Sequence, residues 1–586
     1  MPRPLRRLLV ANRGEIAVRI VRACRDLGIA SIAVYAEDDA DAAHVHLADE
    51  AFRLDPGPGV RSAYLDAAAL LRVATRAGAD AVHPGYGFLS EDASFASAVT
   101  DAGLVWVGPS PAAIAALGDK ARARELAERV GAPLAGGTGV IDGPDDVRAA
   151  GQRWGYPLVV KAVHGGGGRG MRVVRGPDEV DGAWQAATSE AQAAFADDAC
   201  LVERYLDRAR HLETQCLADA HGDVAVVGTR DCSLQRRHQK LLEEAPAPGL
   251  DPAVQRRLVE ASTALLTAAG YRGAGTCEFL LGDDGTLTFC EVNTRIQVEH
   301  PVTEEVAGLD LVAAQLRLAA GAALRDVLAD AGPARGHAVE LRIVAEDPGR
   351  GFAPSPGTIT GWRMPSGPGV RVDAWAQAGT VVSARYDALL AKIVVTGATR
   401  PQALARARRA LAETEVEGVA TTVGFHRALL EHPDVVADPP AVHTRWVEEG
   451  HVRVDAAPRT SRAAAERASG DVPRRLVVEV DGRRLEVTVP GWWADGVHPD
   501  ARPAAASDGG ADSGTLRADL PGVVTRVDVR AGQHVEQGQE LLALEAMKLE
   551  QPVLAPGAAT VIVVHVGAGD AVSTDQQLVT LRYESA

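Results

Sequence analysis

Two glutamates, Glu278 and Glu291, stand inside otherwise apolar runs, GTCEFLL and LTFCEVN. Runs of that length, bounded by turn residues, read as neighbouring strands. Carboxylates side by side on adjacent strands offer oxygen ligands to a hard cation. Asn293 lies two residues beyond Glu291, so strand periodicity puts it on the same side. Upstream, GGGGRG at 165–170 follows the apolar run YPLVVKA. Glycines let backbone N–H groups approach phosphate oxygens without side-chain clash. No Gly-Lys-Ser/Thr follows, so the loop is not a P-loop, and a plain glycine turn is the bland alternative. A third feature is Lys548, in LEAMKLEQPVLA (544–555) between the two copies of an internal repeat. A lysine on such a turn is presented to solvent; by itself that is an ordinary surface lysine.

The elements that must position these groups follow from periodicity. RRLLVAN reads as a strand, EIAVRIVRACRDLG as an amphipathic helix and ASIAVYAE as the next strand. This βαβ rhythm over 6–110 predicts a parallel sheet. Residues 116–330 continue as mixed α and β, and 336–450 open with the strand HAVELRIVAE. Residues 451–475, rich in Ala, Arg and Ser, read as linker. LVVEVDGRRLEVTVP (476–490) reads as a hairpin turning at Asp481-Gly482. Residues 496–514 hold almost nothing that packs and read as linker. Near the C-terminus, VRAGQHVEQGQELLAL (529–544) aligns with VGAGDAVSTDQQLVTL (566–581). Two similar all-β halves predict a small pseudo-symmetric barrel or sandwich.

Composition narrows the class. The 586 residues suggest three or four domains. With aromatics at 4%, Ala, Val and Leu must fill the cores. A net charge of -17 argues against a nucleic-acid binder, though not against a local nucleotide site. The six cysteines form no CxxC and no zinc-ligand spacing, as expected of reduced thiols. No stretch approaches 18 apolar residues and the N-terminus lacks a signal-peptide core, so a cytoplasmic protein without membrane contact is expected.

Glu545-Ala546-Met547-Lys548 resembles the biotin attachment signature, with Leu549 where Met is usual. A lipoyl carrier would have Asp before the lysine. The first 450 residues resemble biotin carboxylase, an ATP-grasp enzyme, through ANRGEIAVRI (11–20), HPGYGFLSE (83–91), KAVHGGGGRGM (161–171), RDCSLQRRHQK (230–240), GAGTCEF (273–279), EVNTRIQVEHPVTE (291–304) and ELRIVAEDP (340–348). The whole resembles the α subunit of an actinobacterial acetyl- or propionyl-CoA carboxylase. The fold class this implies is an α/β (α+β) ATP-grasp biotin carboxylase followed by a small all-β biotinyl/lipoyl-like domain. The expected divisions are an N-terminal domain at 1–115 and an ATP-grasp domain at 116–330 with a mobile lid at about 131–203. A C-terminal carboxylase domain follows at 336–450, then a linker at 451–514 holding the hairpin 476–490, and the biotinyl domain at 515–583.

The resemblance implies the following roles. Gly165, Gly166, Gly167 and Gly168 lie over the ATP phosphates, with Met171 near the adenine; Val163 and His164 depart from the family's small residues. Lys120 and Lys161 bind phosphate. Glu203 and Leu206 form the adenine hinge, where Arg204 replaces the usual Lys. His211, Gln235 and His238 complete the ATP site, and Lys240 stabilises the transferring phosphoryl group. Glu278, Glu291 and Asn293 hold one or two Mg2+, with Mn2+ as an alternative. Arg295, Gln297 and the backbone of Val298 hold bicarbonate, and Glu299 is the general base. Arg342 stabilises the biotin enolate; Val344 stands where the family has Asn.

The implied reaction is ATP-driven formation of carboxyphosphate from bicarbonate, its collapse to CO2, and carboxylation of biotin on Lys548. The implied partners are a carboxyltransferase β subunit in a hetero-oligomer, a biotin protein ligase and a small accessory subunit. A flexible stretch of about 20 residues spans roughly 25 Å and extends to about 65 Å, enough for Lys548 to visit two active sites. An ATP-grasp amide or thiol ligase with a fused carrier is the rival enzyme, and a non-catalytic carrier scaffold the rival outside catalysis.

Overall fold

The structure is a computed structural model. It describes residues 4–55, 57, 62–163, 171–195, 197–329, 331–456, 474–480, 483–489, 514–518, 522–546, 549–573 and 575–583. The glycine run 165–168, most of the 451–514 linker and Lys548 therefore lie outside the described residues.

Short Val- and Leu-rich runs form β1 (Arg7–Val10), β2 (Ala30–Tyr35), β3 (Glu50–Arg53), β4 (Ala81–His83) and β5 (Val105–Trp106). They pair in parallel in the order β3-β2-β1-β4-β5, the expected parallel sheet. The helix Gly14–Asp26 packs on it through Ile16, Ile20 and Val21, one apolar stripe at helical spacing.

Four strands, β6 (Gly137–Ile141), β7 (Leu158–Ala162), β8 (Met171–Val174) and β9 (Cys200–Arg204), form a separate antiparallel sheet ordered β6-β9-β7-β8. The helices Pro144–Trp154 and Val180–Phe195 cover it with their own small core.

The site is built on an eight-stranded antiparallel sheet. Its members are β10 (Ala209–Ala218), β11 (Val224–Arg236), β12 (Gln239–Ala245), β13 (Gly273–Gly282), β14 (Leu287–Asn293) and β15 (His337–Val344), with the strands Val370–Ala374 and Leu389–Gly397. From one edge the order runs β14-β13-β10-β11-β12-β15, then Leu389–Gly397 and Val370–Ala374. Pairing of β12 with β15 carries this sheet across the expected division at 330–336. One continuous sheet thus underlies both segments.

The hairpin strands run Arg474–Val480 and Arg483–Val489, starting two residues before the expected 476. Beyond it are two four-stranded sheets. One holds Thr515–Arg517, Gln577–Tyr583, Ala559–Val564 and His534–Val535; the other holds Leu549–Leu554, Glu540–Ala546, Gly522–Val527 and Ala571–Val572. A shift of 37 residues carries Gly522–Val527 onto Ala559–Val564 and Glu540–Ala546 onto Gln577–Tyr583. Each sheet takes one short strand from the other half. Gly532 N–H donates to the Val561 carbonyl at 2.8 Å, and Gly569 N–H to that of Val524 at 2.7 Å. Both glycines sit at positive φ, 86° and 95°, where a side chain is strained. Val524, Leu542, Val561 and Val579 fill the core between the sheets.

Candidate active site

The floor of the site is a run of glutamates pointing up from strand interiors. Glu213 on β10 and Glu278 on β13 are cross-strand partners, and so are Glu278 and Glu291 on β14. Buried carboxylates in such a row demand compensating cations. Lys240 on β12 supplies one: its Nζ donates to Glu299 Oε1 at 2.6 Å, to Glu278 Oε1 at 3.1 Å and to Glu213 Oε1. Burial would lower this ammonium's pKa, but Glu213, Glu278 and Glu299 outweigh it and hold the pKa well above its ordinary value.

Arg230 supplies a second. It is fully buried on β11, and all five of its donors are used. Nε reaches Glu213 at 2.8 Å, Nη1 reaches Gln215 at 2.8 Å and Thr303 at 3.0 Å, and Nη2 reaches Gln297 at 3.0 Å and Thr276 at 3.2 Å. Arg342 on β15 is the third, with Nε on Glu243 at 2.6 Å and Nη2 on Glu299 at 2.9 Å. Glu299 sits just before the helix His300–Ala307, gripped between Lys240 and Arg342. Burial alone would raise its carboxyl; Lys240, Arg342 and Arg230 reverse this and hold it far below the usual range.

Beside this knot lies a lattice around Asn293. Its amide donates to Glu278 Oε1 at 2.8 Å, and so does that of Gln297, also at 2.8 Å. The oxygen of Asn293 accepts from Arg295 Nη2 at 3.0 Å. Arg295 is further fixed by Glu91 at 3.1 Å and the Ile296 carbonyl at 3.2 Å, which leaves two of its five N–H donors. The Val298 carbonyl accepts from Lys392 at 2.9 Å, and Lys392 pairs with Glu15 at 2.9 Å. Among the described residues the side chain of Glu291 makes no hydrogen bond, and desolvation and Glu278 raise its pKa. Two opposed carboxylates, that of Glu291 without a donor among the described residues, and an amide oxygen beside them fit a hard divalent cation. A cation there would compete with Arg295 for the Asn293 oxygen.

His211 on β10 points Nε2 at Glu278 Oε2, 3.0 Å away, and its Nδ1 lies 3.2 Å from the Gln235 amide. Burial lowers its pKa, but Glu278 and Glu213 more than restore it. His238 occupies the two-residue turn between β11 and β12, where Arg237 and His238 have φ of 46° and 65°. Two left-handed positions are the signature of a type I′ hairpin turn. Neither residue is glycine, so the turn stores about 1–3 kcal/mol per residue, and burial keeps His238 neutral by lowering its pKa. On the smaller sheet, Lys161 Nζ meets Glu203 at 2.5 Å, and Arg124 meets the other oxygen of Glu203 at 2.9 Å. Lys120 is desolvated close to Lys161, and its pKa is lowered. Met171 opens β8 opposite Lys161, and Leu206 is buried next to Gly282. The Arg204 side chain turns outward, 3.5 Å from Asp284. Val344 is buried in the apolar core, and its N–H donates to Thr422 at 3.0 Å.

Glu213, Arg230, Glu243, Glu91, Lys392 and Thr422 were not singled out from sequence. The available signal was a charged residue inside an apolar strand run, as in HLETQCLA or KLLEEAPA. The C-terminal hairpin ends at Ala546 and resumes at Leu549, which pair with each other, so Met547 and Lys548 join its strands.

Known proteins share these features along the chain. The pattern of the biotin carboxylase N-terminal domain matches residues 4–114, that of the carbamoyl-phosphate synthase L chain ATP-binding domain 119–327, that of the biotin carboxylase C-terminal domain 340–449 and that of the biotin-requiring enzymes 514–581. The biotin-dependent acyl-coenzyme A carboxylase alpha3 subunit of Mycobacterium leprae is 47% identical over 98% of both chains. The biotin carboxylase domain of Hydrogenobacter thermophilus 2-oxoglutarate carboxylase, solved with ADP, magnesium and bicarbonate, superposes with a TM-score of 0.73. It is 40% identical and covers 76% of this chain and 97% of that one. A single-chain, multi-domain long-chain acyl-CoA carboxylase superposes at a TM-score of 0.66 and 37% identity, covering 99% of this chain and 51% of that one. No helix of the described residues is long and apolar enough to cross a membrane. With an ATP-grasp biotin carboxylase, a ligase, and a biotinyl domain on one polypeptide, the chain belongs to the biotin-dependent acyl-coenzyme A carboxylase alpha subunits.

Proposed function

We propose that the enzyme uses Mg2+, ATP and bicarbonate to carboxylate biotin on its own Lys548, and passes the carboxyl group to a separate carboxyltransferase. The observation that carries this is Glu299, held between Lys240 and Arg342 with Arg295, Gln297 and Val298 alongside. The ligands of the Hydrogenobacter relative support the choice of substrates. Bound biotin supplies a nucleophilic ring nitrogen that carries the carboxyl group, and a bound divalent cation at Glu278, Glu291 and Asn293 supplies charge against the phosphates.

The chain's own groups account for the rest. Lys120 and Lys161 neutralise phosphate charge, and Gly165 to Gly168 approach the phosphates through backbone N–H groups. Met171, Glu203, Leu206, His211, Gln235 and His238 frame the nucleotide. The Arg295 donors not used by Glu91, Ile296 and Asn293, the Gln297 amide and the Val298 N–H hold bicarbonate. Glu299 starts as a strongly held anion and a weak base. When Lys240 turns to the transferring phosphoryl group and Arg342 to the biotin oxygen, Glu299 keeps only the more distant Arg230 of its three counter-charges. Its pKa then rises, and it accepts the bicarbonate proton at the moment the substrates are in place.

The 47% identity to an alpha3 subunit over 98% of both chains supports a separate carboxyltransferase β subunit in a hetero-oligomer. Acetyl-CoA or propionyl-CoA is the expected acceptor. A biotin protein ligase charges Lys548, and a small accessory subunit joins the complex. Six unpaired cysteines suit the cytoplasm. The test is bicarbonate-dependent ATP cleavage, with intact mass of protein co-expressed with a biotin ligase. Lys548 should carry one biotin. Glu299→Ala should bind ATP yet lose about 100-fold or more in turnover, the scale of a missing general base. Unchanged turnover would remove Glu299 from its role.

A further inference from the structure

Behind Arg342 lies a carboxyl group that the proposed chemistry does not use. Glu340 is two residues before Arg342 on β15 and shares its face of the sheet. Its exposure is 0%, and no N–H or O–H group of the described residues reaches either of its oxygens. Directly opposite on β12 stands Glu243, also 0% exposed. Arg342 engages Oε1 of Glu243, while Oε2 is buried without a donor. Opposed residues of an antiparallel pair have Cβ atoms about 4.5–5.5 Å apart.

Three buried carboxyl oxygens without donors thus belong to one directly opposed residue pair. Two full negative charges side by side in a dry interior are strongly disfavoured. A proton on Glu340 removes one charge and creates an O–H donor. Oε2 of Glu243 is the acceptor without a partner.

We propose that Glu340 and Glu243 share one proton, and that Glu340 is a positioning residue whose neutral carboxyl leaves Glu243 as the single anion clamping Arg342. The proposal rests on the role given to Arg342 above. The charged groups facing the pair are consistent with it. Lys392, on Leu389–Gly397, sits diagonally from Glu340, but two of its donors are committed to Glu15 and the Val298 carbonyl. Glu299 approaches from the start of the helix His300–Ala307, Arg342 from the same strand and Lys240 from β12. Burial drives the Glu340 carboxyl well above the ordinary range; Lys392 and Arg342 oppose this, while Glu243 and Glu299 add to it. Burial also carries Glu243 up to about 7 in spite of Arg342.

Proton count then sets the grip on Arg342. With two protons on the pair, Arg342 loses the Glu243 anion and its anchor. With none, two anions draw the guanidinium back from biotin. One proton leaves it anchored and free to turn its remaining donors forward.

The test uses the full-length biotinylated enzyme. Infrared difference spectra of the wild type at neutral pH should contain the carbonyl stretch of a buried protonated carboxyl, shifted by deuterium exchange. That band should vanish in Glu340→Gln and persist in Glu340→Asp, which keeps the acid. In Glu340→Gln the alkaline midpoint of biotin-dependent turnover should move up by about one pH unit or more, while the KM for ATP stays put. Absence of the band in the wild type, its survival in Glu340→Gln, or a turnover lowered equally at all pH would overturn the shared proton. Should Glu340→Gln not fold, the wild-type and Glu340→Asp spectra still decide. Arg342→Gln separates the two readings: a normal band with intact turnover would remove the role of Arg342 and leave the shared proton standing.

Discussion

Arg342 shows how a single side chain is held by its own backbone. Its carbonyl accepts from Thr422 Oγ1 at 2.7 Å and lies 2.8 Å from His426 Nε2, while Thr422 Oγ1 accepts from Val344 N–H at 3.0 Å. Thr422 therefore bridges the Val344 N–H and the Arg342 carbonyl. Thr422→Val strands a buried N–H, at a cost of about 1–3 kcal/mol. It should also slow biotin-dependent turnover roughly tenfold, the equivalent of about 1.4 kcal/mol, with the KM for ATP unmoved; steady-state kinetics and melting check both. Buried histidines set the acid limit. Burial lowers His83 to about 3, and His44 and His426 to about 4. All three are neutral in the fold but take protons near 6.5 when unfolded, so the stability they contribute is present above 6.5 and lost as pH falls through 4. Glu243 and Glu346, raised to about 7 by burial, act oppositely: their contribution is present in acid and lost as pH rises through 7. His238, His300 and His443 are also lowered by burial, and Glu291 and Glu340 also raised, so six histidines outweigh four glutamates between pH 6.5 and 4.5. The melting temperature should thus fall gently over that window and steeply below it; a rise on acidification would contradict this.

Strand pairing decides which residues meet, and it marks the limit of what sequence makes legible. Glu278, Glu291 and Asn293 could be placed together because their two runs are consecutive strands joined by a short turn. The parallel sheet and the two-halved C-terminal domain were legible for the same reason, local periodicity and a visible repeat. Arg230 with Glu213, or Glu340 with Glu243, could not be read that way. Arg230 and Glu213 meet across a hairpin whose register shifts at Gln215/Cys216, and Glu340 and Glu243 across strands that helices and two further strands separate; a one-residue slip would turn each glutamate to the opposite face. The continuous sheet across 330–336 escaped for that reason too. In the C-terminal domain, the exchanged short strands make each half depend on the other. Gly569→Val places a branched side chain at a φ of 95° and strains the clasp to Val524. It should cost about 1–3 kcal/mol, seen as a lower melting point for this domain, with carboxylation of free biotin unaffected.

At the scale of the whole chain, the proposed function makes the 496–514 stretch the tether between the carboxylase site and Lys548. Removing most of it should depress coupled turnover severalfold or more by lowering the effective concentration of biotin at both sites. Carboxylation of free biotin should be unchanged, and paired assays would tell. The fixed site has a different vulnerability. Its groups come from stretches remote in sequence: Glu15 and Glu91 from the parallel-sheet end, Glu213 to Glu299 from the middle, Arg342 and Lys392 from the far side. Arg13 adds a rivet, bridging to Asp39 at 2.6 Å and stacking on Trp375 and Tyr386. The chemistry therefore sits where the parallel-sheet end packs on one continuous sheet, a seam that Glu15 and Glu91 hold through Lys392 and Arg295. Mild denaturant, heat or a distant destabilising substitution will open it before any sheet melts. For this molecule, catalytic output is the earliest alarm of unfolding, and spectroscopic integrity of the secondary structure is a poor certificate of a working enzyme.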